Sequence, residues 1–137
     1  MSIAFQVTEL FTNKQGRAAF REISVAFDEG NELARFTQIY PASGIQFRRS
    51  PVGFKFKFHC SPKPQWVFIL SGTMEIGLQD GTSRLFQAGS HFLSADTLPA
   101  GAEFDEAVHG HWSRQVGEQP LVTLFVKTDQ LSVAAGA

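Results

Sequence analysis

Along much of the chain, apolar and polar positions alternate with a period of two. Met74, Ile76 and Leu78 stand against Thr73, Glu75 and Gly77, and Asp80-Gly81 follows at once. This predicts a strand, a tight hairpin turn and a partner strand over residues 83–87. The apolar run Trp66 to Leu70 ends at Gly72, and His91 to Ala95 follows Gly89. Further strands are predicted over residues 121–127, 54–59, 20–27 and 35–40. Strands recurring about every ten residues, with no segment of helical period, are the pattern of an all-β sandwich or barrel. Fourteen Phe residues suit pleated, half-buried surfaces.

Residues 98–108, LPAGAEFDEAV, break the regular spacing and read as an extended surface loop that could act as a lid. The short, small-residue tail 131–137 is expected to fray. The 137 residues are enough for one domain over 1–137, with a barrel core over about 35–128.

Composition narrows the partners. Twelve basic against thirteen acidic residues leave a net charge of -1, so no global field draws the chain to nucleic acid or anionic lipid. No apolar run approaches the roughly 18 residues of a spanning helix, and the N-terminus lacks the features of a signal peptide. The single Cys60 excludes an internal disulfide framework and fits a reducing compartment. A cytoplasmic protein with no membrane partner is the expectation.

The segment His59-Cys60-Ser61-Pro62-Lys63-Pro64-Gln65, followed six residues later by Gly72, resembles the first motif of the cupins, H-x-H-x(3,4)-E-x(6)-G. Gly89 with its following strand, then Gly110-His111-Trp112, resembles the second motif. The resemblance spans roughly residues 53–127. It implies a cupin-like double-stranded β-helix, or jelly roll, of six to eight strands that often forms homodimers. It also implies a metal site at the frames occupied here by His59, Ser61, Gln65 and His111. A serine hydroxyl is a poor first-row metal ligand and a glutamine amide is neutral, so half of that ligand set is changed. Ala95 and Thr97 stand where the second motif has Pro and Gly.

The residues themselves leave alternatives open. His59 and Gln65 bracket a turn and can face one cavity, or His59 is an ordinary strand-end histidine. His109 and His111, two apart, can share one strand face, or His109 is a solvent-exposed loop residue. With His59 and Gln65 they would make a site for zinc, iron, manganese, nickel or copper, and neutral ligands there would favour an anionic substrate. Trp112 and Trp66 are core residues first and stacking partners second. In Phe54-Lys55-Phe56-Lys57-Phe58-His59, strict alternation would put both lysines on the side of His59; a bulge before His59 would instead leave them in water. Arg48 and Arg49 are either surface charges or part of a pocket prepared for an acid group. Cys60 should point away from His59, and Asp96 is the better candidate for a pocket carboxylate. Two functions follow: binding of a small, anionic molecule at His59, Gln65, His111 and Trp112 without turnover, or a metal-dependent dioxygenase, isomerase or lyase using His59, Gln65 and His111 with His109 in reserve. A purely structural protein would need a filled, polar-free barrel.

Overall fold

The structure is a computed structural model and describes residues 3–135. It is all-β: twelve strands and no helix among the described residues. Two sheets carry the fold. A six-stranded sheet has the order β2 (Ala18–Ala26), β1 (Ala4–Thr12), β10 (His91–Ala95), β7 (Gln65–Ser71), β12 (Leu121–Lys127), β5 (Gly44–Ser50). A four-stranded sheet has the order β6 (Lys55–His59), β11 (His111–Val116), β8 (Thr73–Gly77), β9 (Ser83–Gln87). A separate hairpin joins β3 (Glu29–Asn31) to β4 (Ala34–Phe36).

The last eight strands form one folded ribbon. Antiparallel pairs run β8 with β9, β7 with β10, β6 with β11 and β5 with β12, and successive pairs fall alternately in the two sheets. That order is the double-stranded β-helix of a jelly roll. The strand β1 extends the larger sheet by pairing in parallel with β10, and β2 completes it. Several predicted strands have the observed bounds, among them β9, β10 and β12. Four are additional: β1, β3, β5 and β11.

Between the sheets, Ile69, Ile76, Phe86, Phe92 and Leu10 form the main apolar core, with the Phe86 and Phe92 rings 4.5 Å apart. A second cluster lies on the outer face of the larger sheet, where Val7, Val25, Leu93 and Ala95 are covered by Val133 and Tyr40. Here the tail differs from expectation. Glu9 is fully buried on that face, and its carboxylate accepts from Arg21 Nε at 2.8 Å, Ser132 Oγ at 2.8 Å and Val133 N at 2.6 Å. A buried carboxylate needs partners, and residues 132–133 supply them, so this part of the tail is docked rather than frayed. Residues 136–137 lie outside the described residues.

Glycine at 72, the last letter of the first motif, has a physical reason. Its φ is +82°, and a Cβ there would meet the Pro120 carbonyl oxygen at 2.5 Å.

Candidate functional site

The core does not fill the whole space between the sheets. At the end walled by β5, β6, β11 and β12 the inward positions are polar, with Ser50, Ser61, Ser94, His111, Ser113 and Thr123 all buried. Because these side chains are short or hydrophilic, they leave a cavity of about 310 Å³ floored by Met74, Ile76 and Phe92. That is the lower end of the roughly 300–1,000 Å³ of small-molecule sites.

His59 and His111 meet there. They are directly paired across β6 and β11, and their rings lie 4.6 Å apart between centroids. Gly110 permits the approach: its φ is +86°, and a Cβ would lie 2.5 Å from the His59 carbonyl oxygen. The register then shifts, with His111 opposite His59 but Ser113 opposite Phe56. Three residues of β6 therefore span two of β11, which is a β-bulge. It switches the facing of the strand: Phe54, Phe56 and His59 all line the cavity, while Lys55 and Lys57 are exposed. Of the two readings left open for this segment, the bulge is the one observed. The Phe56 ring stacks on His59 at 4.3 Å.

Each imidazole is oriented through its Nδ1. His59 Nδ1 lies 2.7 Å from the Lys57 carbonyl oxygen, and His111 Nδ1 lies 2.8 Å from Asp96 Oδ2. Asp96 is fully buried, and its other oxygen accepts from Thr12 Oγ1 at 2.7 Å. Burial holds the His59 pKa below its ordinary value, helped by the neighbouring His111 and by Arg48, while the Lys57 carbonyl and Asp96 act in the opposite direction.

The cavity also holds two fixed cations. Arg48 faces inward on β5, its guanidinium 4.2 Å above the Phe125 ring. Lys127 lines the same wall, and its ammonium donates to Gln65 Oε1. Neither has a carboxylate partner among the described residues. Arg49 pairs with Val122 on the alternate positions of β5 and β12 and is not part of the cavity.

Other candidates fall elsewhere. His109 is held in the turn of residues 105–109, its Nδ1 accepting from Asp105 N at 3.0 Å, and it does not line the cavity. The glycine between the two histidines is the reason: residue 110 bends the chain before β11 begins, so the two-apart rule for strands does not apply. Trp112 points to the other side of β11, its ring lying over Gly77, where any Cβ would overlap it. It is a packing residue, not a wall of the cavity. Cys60 departs the opposite way: it lines the cavity beside His59, because β6 has ended and the chain is turning. Burial, with Asp96 nearby, pushes its thiol up to about 11, so it is no thiolate nucleophile at neutral pH. Glu103, Asp105 and Glu106 are exposed on the loop. Arg48 and Lys127 are the contributors that sequence reading underrated or missed; both sit at inward positions of strands whose inward face is polar.

These donors do not fit a metal ion. Two imidazoles converge, but Gln65 is engaged by an ammonium, and Ser61 Oγ is 2.7 Å from Ser94 Oγ. No group of three His, Cys, Asp or Glu side chains is placed to hold a metal among the described residues. A cation would also face Arg48 and Lys127 across the same small space, at a Coulomb cost that burial raises.

Neither a protein-family model nor a curated protein matches the sequence. Among solved structures, the cupin domain of Schizosaccharomyces pombe Cnp3 is similar at 15% identity and a TM-score of 0.46, covering 94% of this chain and 84% of that one. A protein named as a mannose-6-phosphate isomerase of Ralstonia eutropha JMP134 is similar at 18% identity and a TM-score of 0.35, covering 92% of this chain and 86% of that one. A protein named as ethanolamine utilization protein Q of Salmonella typhimurium LT2 is similar at 12% identity and a TM-score of 0.40, covering 94% and 96%. These are likenesses of fold.

Proposed function

We propose that this jelly roll binds a small organic acid in the cavity between its sheets, without a metal ion. The observation that carries the reading is the charge of the cavity wall: among the described residues Arg48 and Lys127 have no carboxylate partner, and Asp96, the buried carboxylate behind His111, is already hydrogen-bonded to His111 and Thr12. An anion entering this space meets two cations and two imidazoles over an apolar floor. Charge-assisted hydrogen bonds to such groups contribute about 1.5–3 kcal/mol each. Volume limits the ligand to a small metabolite, and the Phe54, Phe56 and Phe125 rings favour one with an apolar part as well as a carboxylate.

The test is titration calorimetry of the purified chain against mono-, di- and tricarboxylates, with the matching neutral amides as controls. Binding of an acid but not of its amide is expected, weakened at least about tenfold in Arg48→Ala and in Lys127→Met. Equal binding of acid and amide would overturn the reading. So would a stoichiometric transition metal in protein prepared without chelators and lost in His59→Ala, which would favour the metal-dependent enzyme; the carboxylate of Asp96 behind His111 is the one feature that suits it.

A further inference from the structure

The larger sheet ends at β5 with its last strand bare. Apolar side chains cross the outer face of this sheet in rows of direct partners: His91, Phe68, Leu124 and Phe47 in one, Leu93, Trp66, Val126 and Ile45 in the next. Both rows stop at β5, where Ile45 is 64% and Phe47 66% exposed. The strand pairs with β12 along one side only. Along the other side, this seven-residue strand, exposed from Gly44 to Arg49, finds no backbone hydrogen-bond partner among the described residues. An open ladder flanked by apolar side chains is a template for another extended segment.

Charge selects which segment. From Leu33 to Met74 the sequence carries Arg35, Arg48, Arg49, Lys55, Lys57 and Lys63 and no acidic residue. The fold brings four of these to one end of the molecule. Arg48 and Arg49 are on β5; Lys55 and Lys57 are on β6, which follows after residues 51–54 and is the free edge of the smaller sheet. All four are exposed, and none has a carboxylate within salt-bridge distance among the described residues. Charge on a sheet edge ordinarily keeps like edges apart. A second β5 laid against the first would bring four arginines to one seam with no acid to balance them. A strand of opposite sign meets no such repulsion and is drawn in by the same cations.

We infer that β5 is an acceptor edge for an extended segment of another protein in which apolar and acidic side chains alternate. The backbone of that segment continues the ladder beyond β5. Its side chains point alternately to the two faces, so its apolar residues lengthen the rows that stop at Ile45 and Phe47. Its acidic residues, at the alternate positions and at the end beside Arg49, meet the two arginines. This partner surface does not rest on the cavity reading, because Arg49 and the outer face lie outside the cavity.

The probe is a synthetic peptide of about eight residues alternating valine and glutamate, long enough to cover the strand. One control peptide has lysine in place of glutamate, and another is N-methylated throughout so that it cannot donate to a ladder. Fluorescence anisotropy of labelled peptide on the full chain gives the affinities, and hydrogen exchange read by mass spectrometry reports on residues 44–50. The glutamate peptide is expected to bind at least about tenfold more tightly than either control and to lose affinity with added salt. At saturation it should slow exchange over β5 at least about tenfold, because the amides that point away from β12 gain acceptors. Arg49→Glu and Phe47→Asp should each weaken binding at least about tenfold. Both side chains are exposed, and either variant with unchanged circular dichroism suffices. No binding at about 1 mM peptide overturns the inference. Equal binding of the N-methylated peptide overturns it in favour of charge without strand addition. Tighter binding of a single-stranded DNA of about twelve nucleotides overturns it in favour of nucleic acid. Exchange over β5 that slows with protein concentration in the absence of peptide overturns it in favour of a second copy on the edge.

Discussion

The two ends of the jelly-roll interior differ in what points inward. Around β8, β9 and β10 the inward side chains are Ile76, Phe86 and Phe92, and the space is full. Around β5, β6, β11 and β12 they include Arg48, His59, His111, Ser113 and Thr123, and the space is open. Burial of the first set supplies stability. The second set gives up apolar contact and forms instead a charged, shaped wall, which is what a binding site costs a small domain. That contrast can be broken by experiment. The largest expected effect is on the filled side: Phe92→Ala should lose about 3–5 kcal/mol of unfolding free energy in urea titrations, by lost burial plus a residual cavity. Ser113→Ala, also buried but facing the open side, should cost less than about 1 kcal/mol. Comparable losses would mean that the two ends are packed alike.

Cys60 sharpens the contrast at the mouth of the open side. Its thiol is raised from an ordinary 9.0 to about 11 by burial and by Asp96. The thiolate fraction at pH 8 should therefore be about a hundredfold below that of the unfolded chain. Alkylation with iodoacetamide, followed by mass spectrometry in native buffer and in urea, should show that ratio. A native rate equal to the denatured one would place the thiol in water. Next in size is Gly110→Ala, which forces a side chain into a left-handed conformation against the His59 backbone. About 2 kcal/mol of destabilisation is expected, together with loss of the His59–His111 pairing, visible as shifted imidazole resonances.

The same contrast explains what could be read from the sequence. On the filled side, β8 alternates apolar-in and polar-out, with Met74 and Ile76 against Thr73 and Glu75, and the Asp80-Gly81 turn and Gly89 place β9 and β10 after it. The strands β5 and β11 line the open side, so their inward positions are polar: Gln46, Arg48 and Ser50 in one, His111, Ser113 and Gln115 in the other. No apolar inward face marks them, and neither was foreseen. In β1 the signal is broken by Glu9, a charge in the middle of a buried face, two of whose partners, Ser132 and Val133, lie more than a hundred residues away. His59 and His111 were legible through the motif frame. Arg48 as a cavity residue, Lys127 and the placement of Trp112 were not, because each depends on which side of a strand faces inward. That facing is set at β6 by a bulge that no local pattern announces.

The smallest effect is a pH dependence, and its sign follows from the open side. Burial lowers the pKa of His59, reinforced by His111 and Arg48, and burial likewise lowers that of His91 on the outer face. In the unfolded chain both titrate near the ordinary 6.5. As the pH falls through 6.5, the unfolded state takes up protons that the folded state still refuses, so stability declines until the lowered folded pKa values are passed. Above 6.5 this contribution is fully present. Thermal unfolding between pH 7.5 and 5 should therefore show a falling midpoint. His59→Gln should remove the part due to the cavity, and His91→Phe the part due to the outer face. A midpoint that rises on acidification, or a slope unchanged in both variants, would show that neither imidazole is held neutral by the fold. If the slope survives His59→Gln but vanishes in His91→Phe, the open side is wet enough to accommodate a charged imidazole at no cost, and the contrast between the two ends is one of volume alone.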